Sequence, residues 1–426
     1  MKNILFLVIC IFGSLNGKNA YDYLLEWGLN NSLMISNKLG MRYTNENNKT
    51  YYAKEEIPEN TLIMNIPFKI MLNVDNALKL LNNKKLSKLY NDYKNDKFEI
   101  TVGYLPPGND QSFLTYLIYL VNNGQKKYKK SKFYQYFHYL FDTFETNLDH
   151  FPMFYNRNQL RLLNGSVSLM EVALMKELYK EEIDKFEVKH KQKNIDFDEY
   201  LRYRTLTVAK SLNISNISSI IPFIDMFAND PIDYNVNFRL NETDNSLFVF
   251  TTKKVKRDDI LYIRSGYFSN IMRFVLYGET FEKMKDQIDS YKIPMISNML
   301  LSTLNQEEID QFNLDDTIDL NNKKFYKKAL KSYKKLSLMK KGDGSEFSAY
   351  QLFLKNLEMV REVFNNVIIS DIHKEFVDMK SIYNVKRILE FEKGLLDKKL
   401  NVLRKFIQKL EKTNDKKSEN KINKDL

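Results

Sequence analysis

Thiols and imidazoles are scarce in this chain. Its single cysteine, Cys10, sits inside an N-terminal apolar run, and the four histidines, His138, His150, His190 and His373, are scattered without the close spacing of a metal site. No glycine-rich phosphate-binding loop occurs. What remains is hydroxyl, phenol, amide and carboxylate chemistry. It is punctuated by two stretches, one around Asp225 and one around Gly266, the latter flanked by Tyr262, Ser265 and Tyr267. With 27 tyrosines in the chain, a phenol near any given point is expected, so a structural role is the default for Tyr262 and Tyr267.

The elements that must position these residues follow a distinctive order. Residues 21–27 predict a short helix. Thr50-Tyr51-Tyr52-Ala53 and Leu62-Ile63-Met64-Asn65-Ile66-Pro67 predict strands separated by an acidic turn, the second closing on a proline. From about 75 to 210 the apolar period becomes helical, as in Phe113-Leu114-Leu117-Ile118-Leu120-Val121. Strand character returns between 220 and 277, in Ser246-Leu247-Phe248-Val249-Phe250-Thr251-Thr252 and Ile260-Leu261-Tyr262-Ile263. Beyond 281 the chain is helical again. Its last periodic element aligns Val385, Ile388, Leu389, Leu395, Leu396, Leu400, Leu403, Ile407 and Leu410 along one face. Residues 413–426 are polar and aperiodic and predict disorder.

Composition narrows the function classes. A hydrophobic fraction of 43% with 13% aromatics is that of a folded chain, and 426 residues suffice for two or three cores. The net charge of +11 is spread over lysines mixed with acids, without an arginine-rich arm or a cysteine-histidine finger, which argues against nucleic-acid binding. Lys2 followed by the apolar run from Ile4 to Phe12, and then Gly13, Ser14 and Gly17, has the order of a cleavable secretory leader. Removal near Gly17 would leave a mature chain without thiols, lumenal or secreted, and without a membrane span.

The punctuation carries a resemblance. Ala53-Lys54-Glu55-Glu56-Ile57 followed by Leu62 and Ile66-Pro67, the segments Ser112-Phe113-Leu114-Thr115-Tyr116-Leu117 and Phe133-Tyr134-Gln135-Tyr136-Phe137-His138-Tyr139-Leu140, the turn Leu162-Leu163-Asn164-Gly165-Ser166, Pro222 with Asp225, and Leu276-Tyr277-Gly278 occur in one order. Together they resemble the SET-domain family that includes the Rubisco large-subunit methyltransferase and the actin-histidine methyltransferase. The resemblance implies an α+β fold: a split SET β-fold with a helical insert and a C-terminal helical, Rubisco-methyltransferase substrate-binding-like lobe. The expected organisation is a signal peptide 1–17, SET N-terminal part 21–75, insert 76–218, SET C-terminal part 219–280, helical lobe 281–412 and tail 413–426.

Function follows as an expectation from the same resemblance: S-adenosylmethionine-dependent methylation of a lysine or histidine side chain in a protein substrate, by a monomer, without metal. Such enzymes work by positioning and electrostatics. Several positions depart from the family pattern. Asn48-Lys49-Thr50 stands where a Gly-x-Gly turn bares backbone to the cofactor, Asn229-Asp230 where an Asn-His pair belongs, and Ser265-Gly266 where a Tyr-Gly pair closes the strand. The candidate cofactor-binding residues are therefore Thr50, Asn229, Asp230 and Gly266, and the candidate catalytic residues Tyr267, Tyr262 and Ser265. A rebuilt cradle would draw on Gly40. Two readings stay open: a divergent methyltransferase, or a non-catalytic descendant that binds protein.

Overall fold

In the computed structural model, residues 20–43, 49–95, 109–123, 133, 136–137, 139–140, 148–190, 194–214, 217–264, 270–281, 292–294, 303–309, 317–319, 323–340, 344–365, 369–376 and 378–425 are described. In chain order the elements are α1 (Ala20–Asn30), β1 (Met34–Ile35), β2 (Leu39–Tyr43), β3 (Lys49–Ala53), β4 (Leu62–Pro67), α2 (Val74–Leu81), α3 (Lys84–Asn95), α4 (Asn109–Asn123), α5 (Arg157–Arg161), α6 (Val167–His190) and α7 (Phe197–Lys210). There follow β5 (Ser211–Ile214), β6 (Ile217–Ile220), β7 (Ala228–Asn229), β8 (Val236–Asn241), β9 (Ser246–Thr251), β10 (Tyr262–Ile263) and α8 (Asn270–Tyr277). The remainder is β11 (Lys292–Pro294), α9 (Gln306–Ile309), β12 (Thr317–Asp319), α10 (Lys323–Met339), α11 (Glu346–Asn365), α12 (Ile369–Glu375) and α13 (Met379–Asp425).

The chain divides into two compact units, one of residues 1–148 and 176–267, the other of residues 149–175 and 268–426. In the first, a six-stranded sheet of order β1-β4-β9-β8-β10-β7 joins the two halves of sequence that the helical insert separates. The decisive contact is the antiparallel β4–β9 ladder, which sets Ile66 opposite Leu247 and Leu62 opposite Phe250. Alternation does this work: Met64, Ile66, Leu247 and Val249 share one face and are all buried, so a one-residue slip would turn that apolar set outward. β3 does not pair with β4 as adjacent strands of one hairpin would. It pairs with β2, a strand the sequence did not announce, and Ile57 in the connecting segment bridges to Val255.

Helices α4, α6 and α7 of the insert share a buried polar knot. The Arg204 guanidinium donates through Nε and Nη2 to both oxygens of Glu182 at 3.0 Å, and the Ser112 hydroxyl donates to the same carboxylate at 2.6 Å. Such a pair stays inside because charge and hydrogen bonds are matched on both partners. Asn73 starts α2 by accepting the Asn76 amide at 2.9 Å, and Asp196 starts α7 by accepting the Glu199 amide at 2.7 Å.

The second unit is helical around a core that includes Tyr333, Phe353, Leu357, Ile388 and Leu396. Two boundaries differ from the sequence expectation. Residues 149–175, assigned to the insert, belong to this unit, and it begins at 268 rather than 281. The polar stretch after 412 continues α13 through Asp425 instead of ending in disorder. It contains neither glycine nor proline, so the helix, once nucleated by the packed turns before it, propagates at little cost. Among the described residues, no helix is long and apolar enough to cross a membrane.

Candidate functional site

Three chain segments of the first unit converge where the sequence placed its candidates. The segment entering β10 lies between β3 and β7: the Leu261 amide donates to the Tyr51 carbonyl at 3.0 Å, and the Ala228 amide donates to the Leu261 carbonyl at 3.1 Å. Thr50, Tyr262, Asn229 and Asp230 are thereby brought onto neighbouring strands. β10 runs parallel to β7, with Tyr262 opposite Ala228 and Ile263 opposite Asn229. Ser265, Gly266 and Tyr267 fall outside the described residues, as does Asn48.

A residue the sequence reading passed over holds this layer together. The buried Asn235 side chain accepts the Tyr262 amide at 2.7 Å and donates to the Ile260 carbonyl at 2.9 Å. Both backbone groups of the strand entering the site are thus met by one amide. No spacing or motif in the sequence distinguishes Asn235 from the many surface asparagines.

Each candidate cofactor position has its own local environment. Thr50 is buried, and its hydroxyl has no hydrogen-bond partner among the described residues. Asn229 is half-buried. Asp230 is committed to its own loop: one carboxylate oxygen accepts the amides of Ile232 and Asp233, both at 2.8 Å, closing a turn. Gly40 sits opposite Tyr52 in the β2–β3 hairpin, and a Cβ there would lie 2.5 Å from the Tyr52 ring. Its missing side chain makes room for that ring, not for a ligand, which removes Gly40 as a source of bare backbone.

Beside this layer lies an acid-phenol cluster that the sequence did not single out as a site. Asp225 follows Phe223, a fully buried aromatic held at φ 73° in the left-handed region, a strained conformation for a bulky residue. One Asp225 oxygen receives Lys210 Nζ at 3.3 Å; the other is buried without a hydrogen-bond partner among the described residues. Three phenols, Tyr51, Tyr136 and Tyr139, lie around it, and a fourth, Tyr21, meets Tyr51. Burial pushes Tyr51 and Tyr136 far above the ordinary phenol value, with Asp225 adding to both shifts, and burial followed by Asp225 and Tyr21 does the same to Tyr139. Tyr21 is raised by burial too. Held protonated at neutral pH, these phenols are able to donate hydrogen bonds and are not bases.

The cluster is buttressed from two sides. The Tyr51 hydroxyl lies 3.6 Å from the Met226 sulfur, and its ring tilts on Phe227 with centroids 4.8 Å apart. Helix α1 contributes Tyr21 and stacks Trp27 on Tyr136 at 5.8 Å. Gly28 completes the contact, since a Cβ there would come within 2.7 Å of the Phe223 ring. The arrangement can orient a cationic or hydrogen-bonding group beside Asp225; among the described residues it holds no nucleophile and no group of three or more metal-ligating side chains.

Comparisons with solved structures identify the fold. The chain superimposes on Rubisco LSMT bound to AdoMet with a TM-score of 0.62 at 13% identity, covering 93% of this chain and 94% of that one. It superimposes on the SET domain of LSMT bound to lysine and AdoHcy with a TM-score of 0.59 at 15% identity, covering 91% of each chain. A third LSMT structure, bound to sinefungin and monomethyllysine, gives 0.59 at 16% identity. No protein-family model and no curated protein sequence matches the chain. The fold is therefore the split SET fold expected from the sequence, with strands from both sides of the helical insert in one sheet.

Proposed function

We propose that this chain is a SET-fold protein-binding module with degenerate methyltransferase motifs, in which the scaffold is kept and S-adenosylmethionine binding is weak or lost. The observation that carries this reading is Asp230. One oxygen of the carboxylate standing at the histidine position of the family pattern is held by two amides of its own turn, and an ionised carboxylate cannot donate a hydrogen bond as an imidazole N–H does. The other described positions do not make up the loss. Thr50 puts a buried side chain where the pattern keeps bare backbone, and Gly40 is filled by Tyr52. Losing two or three contacts at about 1–3 kcal/mol each weakens a ligand by orders of magnitude. The described residues at these positions do not fit the cofactor. The partner is a protein, and the leader 1–17 directs the chain into the secretory pathway.

A second reading, an active methyltransferase for lysine or histidine side chains, is favoured by the unpartnered Asp225 oxygen beneath the phenols. A buried acceptor among protonated donors suits a cationic side chain. Calorimetry with S-adenosylmethionine, and mass spectrometry for methyl transfer to co-purifying or added proteins, separate the two. The module reading expects no micromolar binding and no transfer. Micromolar binding that disappears in Asn229→Ala, with methyl transfer that disappears in Tyr267→Phe, would establish the enzyme instead.

A further inference from the structure

We propose that the outward face of α10 is a docking surface for an acidic segment of a partner protein. This deepens the protein-binding reading, on which it rests. The chain's charge is less evenly spread than its composition suggests: residues 323–341 hold nine lysines and no acid, so the rest of the chain has a net charge of only +2.

Helical geometry gathers this charge on one side. Ala329, Tyr333, Leu336 and Ser337 are buried and define the inward face. At about 100° per residue, the seven lysine positions of α10 (323, 324, 327, 328, 331, 334 and 335) fall on the opposite arc, about 140° wide. Lys331 and Lys335 are exposed and Lys334 half-exposed, and among the described residues none of the three pairs with a carboxylate. Acids flank the run in sequence, Asp315, Asp316 and Asp319 before it and Asp343 and Glu346 after it, but none lies within it. From the adjacent α11, Glu358 is already paired with Arg404 at 2.8 Å.

The kind of partner follows from what else is on this face. Leu338 stands at the centre of the lysine arc and is 60% exposed. An apolar side chain ringed by point charges suits a peptide carrying carboxylates and one apolar anchor. A lipid surface is less well served, since the apolar face of α10 is already buried in the core and cannot insert. A phosphate backbone is also less well served: the arc holds no arginine for bidentate contacts and no aromatic for stacking.

The test uses the full mature chain and a fluorescent glutamate-rich peptide with a central leucine, with no S-adenosylmethionine present, so the result is independent of whether the cofactor binds. Peptide binding should weaken with salt and fall about tenfold or more in Lys331→Glu/Lys334→Glu/Lys335→Glu. The matching arginine triple should retain it. Lys84→Glu/Lys85→Glu/Lys88→Glu, an equal charge change on exposed positions of α3, should leave it unchanged. Leu338→Ser should weaken binding without altering its salt dependence, while circular dichroism verifies that each variant is folded. Absence of binding, equal loss in the α3 variant, or tighter binding of anionic vesicles or duplex DNA through the same lysines would overturn the proposal.

Discussion

Single side chains in this protein are set by what they must satisfy, and Glu392 is the clearest case. It is fully buried in the second unit, where its carboxylate accepts the Ser166 hydroxyl at 2.7 Å, the Val167 amide at 2.8 Å and the Ser168 hydroxyl at 3.1 Å, capping α6 from across the core. Burial pushes its pKa up to about 7 against the pull of those donors. The sign follows: a carboxyl more basic when folded than when unfolded binds its proton preferentially in the native state. Its contribution to stability is therefore full below about pH 4.5 and is lost as pH rises toward 7, a change of about 3 kcal/mol. Thermal unfolding followed from pH 4.5 to 7.5 should show this declining slope in the wild type and a flatter one in Glu392→Gln. Asp230 and Asp225 obey the same logic of satisfaction with different outcomes. The first meets two amides; the second keeps one oxygen unmet at the place where the fold gathers phenols.

Elements show how little of the site depends on the strands alone. Helix α1 is a short amphipathic segment, yet it supplies Tyr21 to the acid-phenol cluster and stacks Trp27 on Tyr136. Its close approach requires a residue without a side chain at 28, because a Cβ would lie 2.7 Å from Phe223 and 2.8 Å from Leu33. Phe223 is fully buried and already strained, so it has little freedom to retreat. Gly28→Ala should therefore destabilise the protein by about 1–2 kcal/mol, overpacking outweighing the gain in helix propensity, and Gly28→Val by more. Urea midpoints measured for both variants decide this; an unchanged or higher midpoint for the alanine variant would refute the packing argument. The β2–β3 hairpin makes the complementary point. Gly40 suggested an open cradle when read alone, but its cross-strand partner Tyr52 fills the space, and only pairing register reveals that.

At the scale of the whole molecule, the leader proposal predicts a mature N-terminus near residue 18, close to the start of α1. N-terminal sequencing of native protein that began at Met1 would count against it. The order of strands, helices, strands and helices was legible in the sequence because periods of 2 and 3.6 are local properties of patterning, and the buried faces of β4, β9 and α13 match those patterns. The resemblance carried by Pro222, Asp225 and Ile66-Pro67 led to the SET fold for the same reason: turn and strand-end residues mark topology in fixed order. The sequence could not disclose the pairing of β3 with β2, the membership of residues 149–175 in the second unit, or the roles of Asn235 and Tyr139. Each depends on contacts between residues far apart in the chain, and an asparagine bridging a backbone amide and a backbone carbonyl looks identical in sequence to one exposed to water. The sequence by itself determined most of the elements and their order. Only the tertiary structure decided that Asp230 serves its own turn and that Asp225 sits among neutral phenols, because hydrogen-bond satisfaction and burial exist only once distant segments have been packed together.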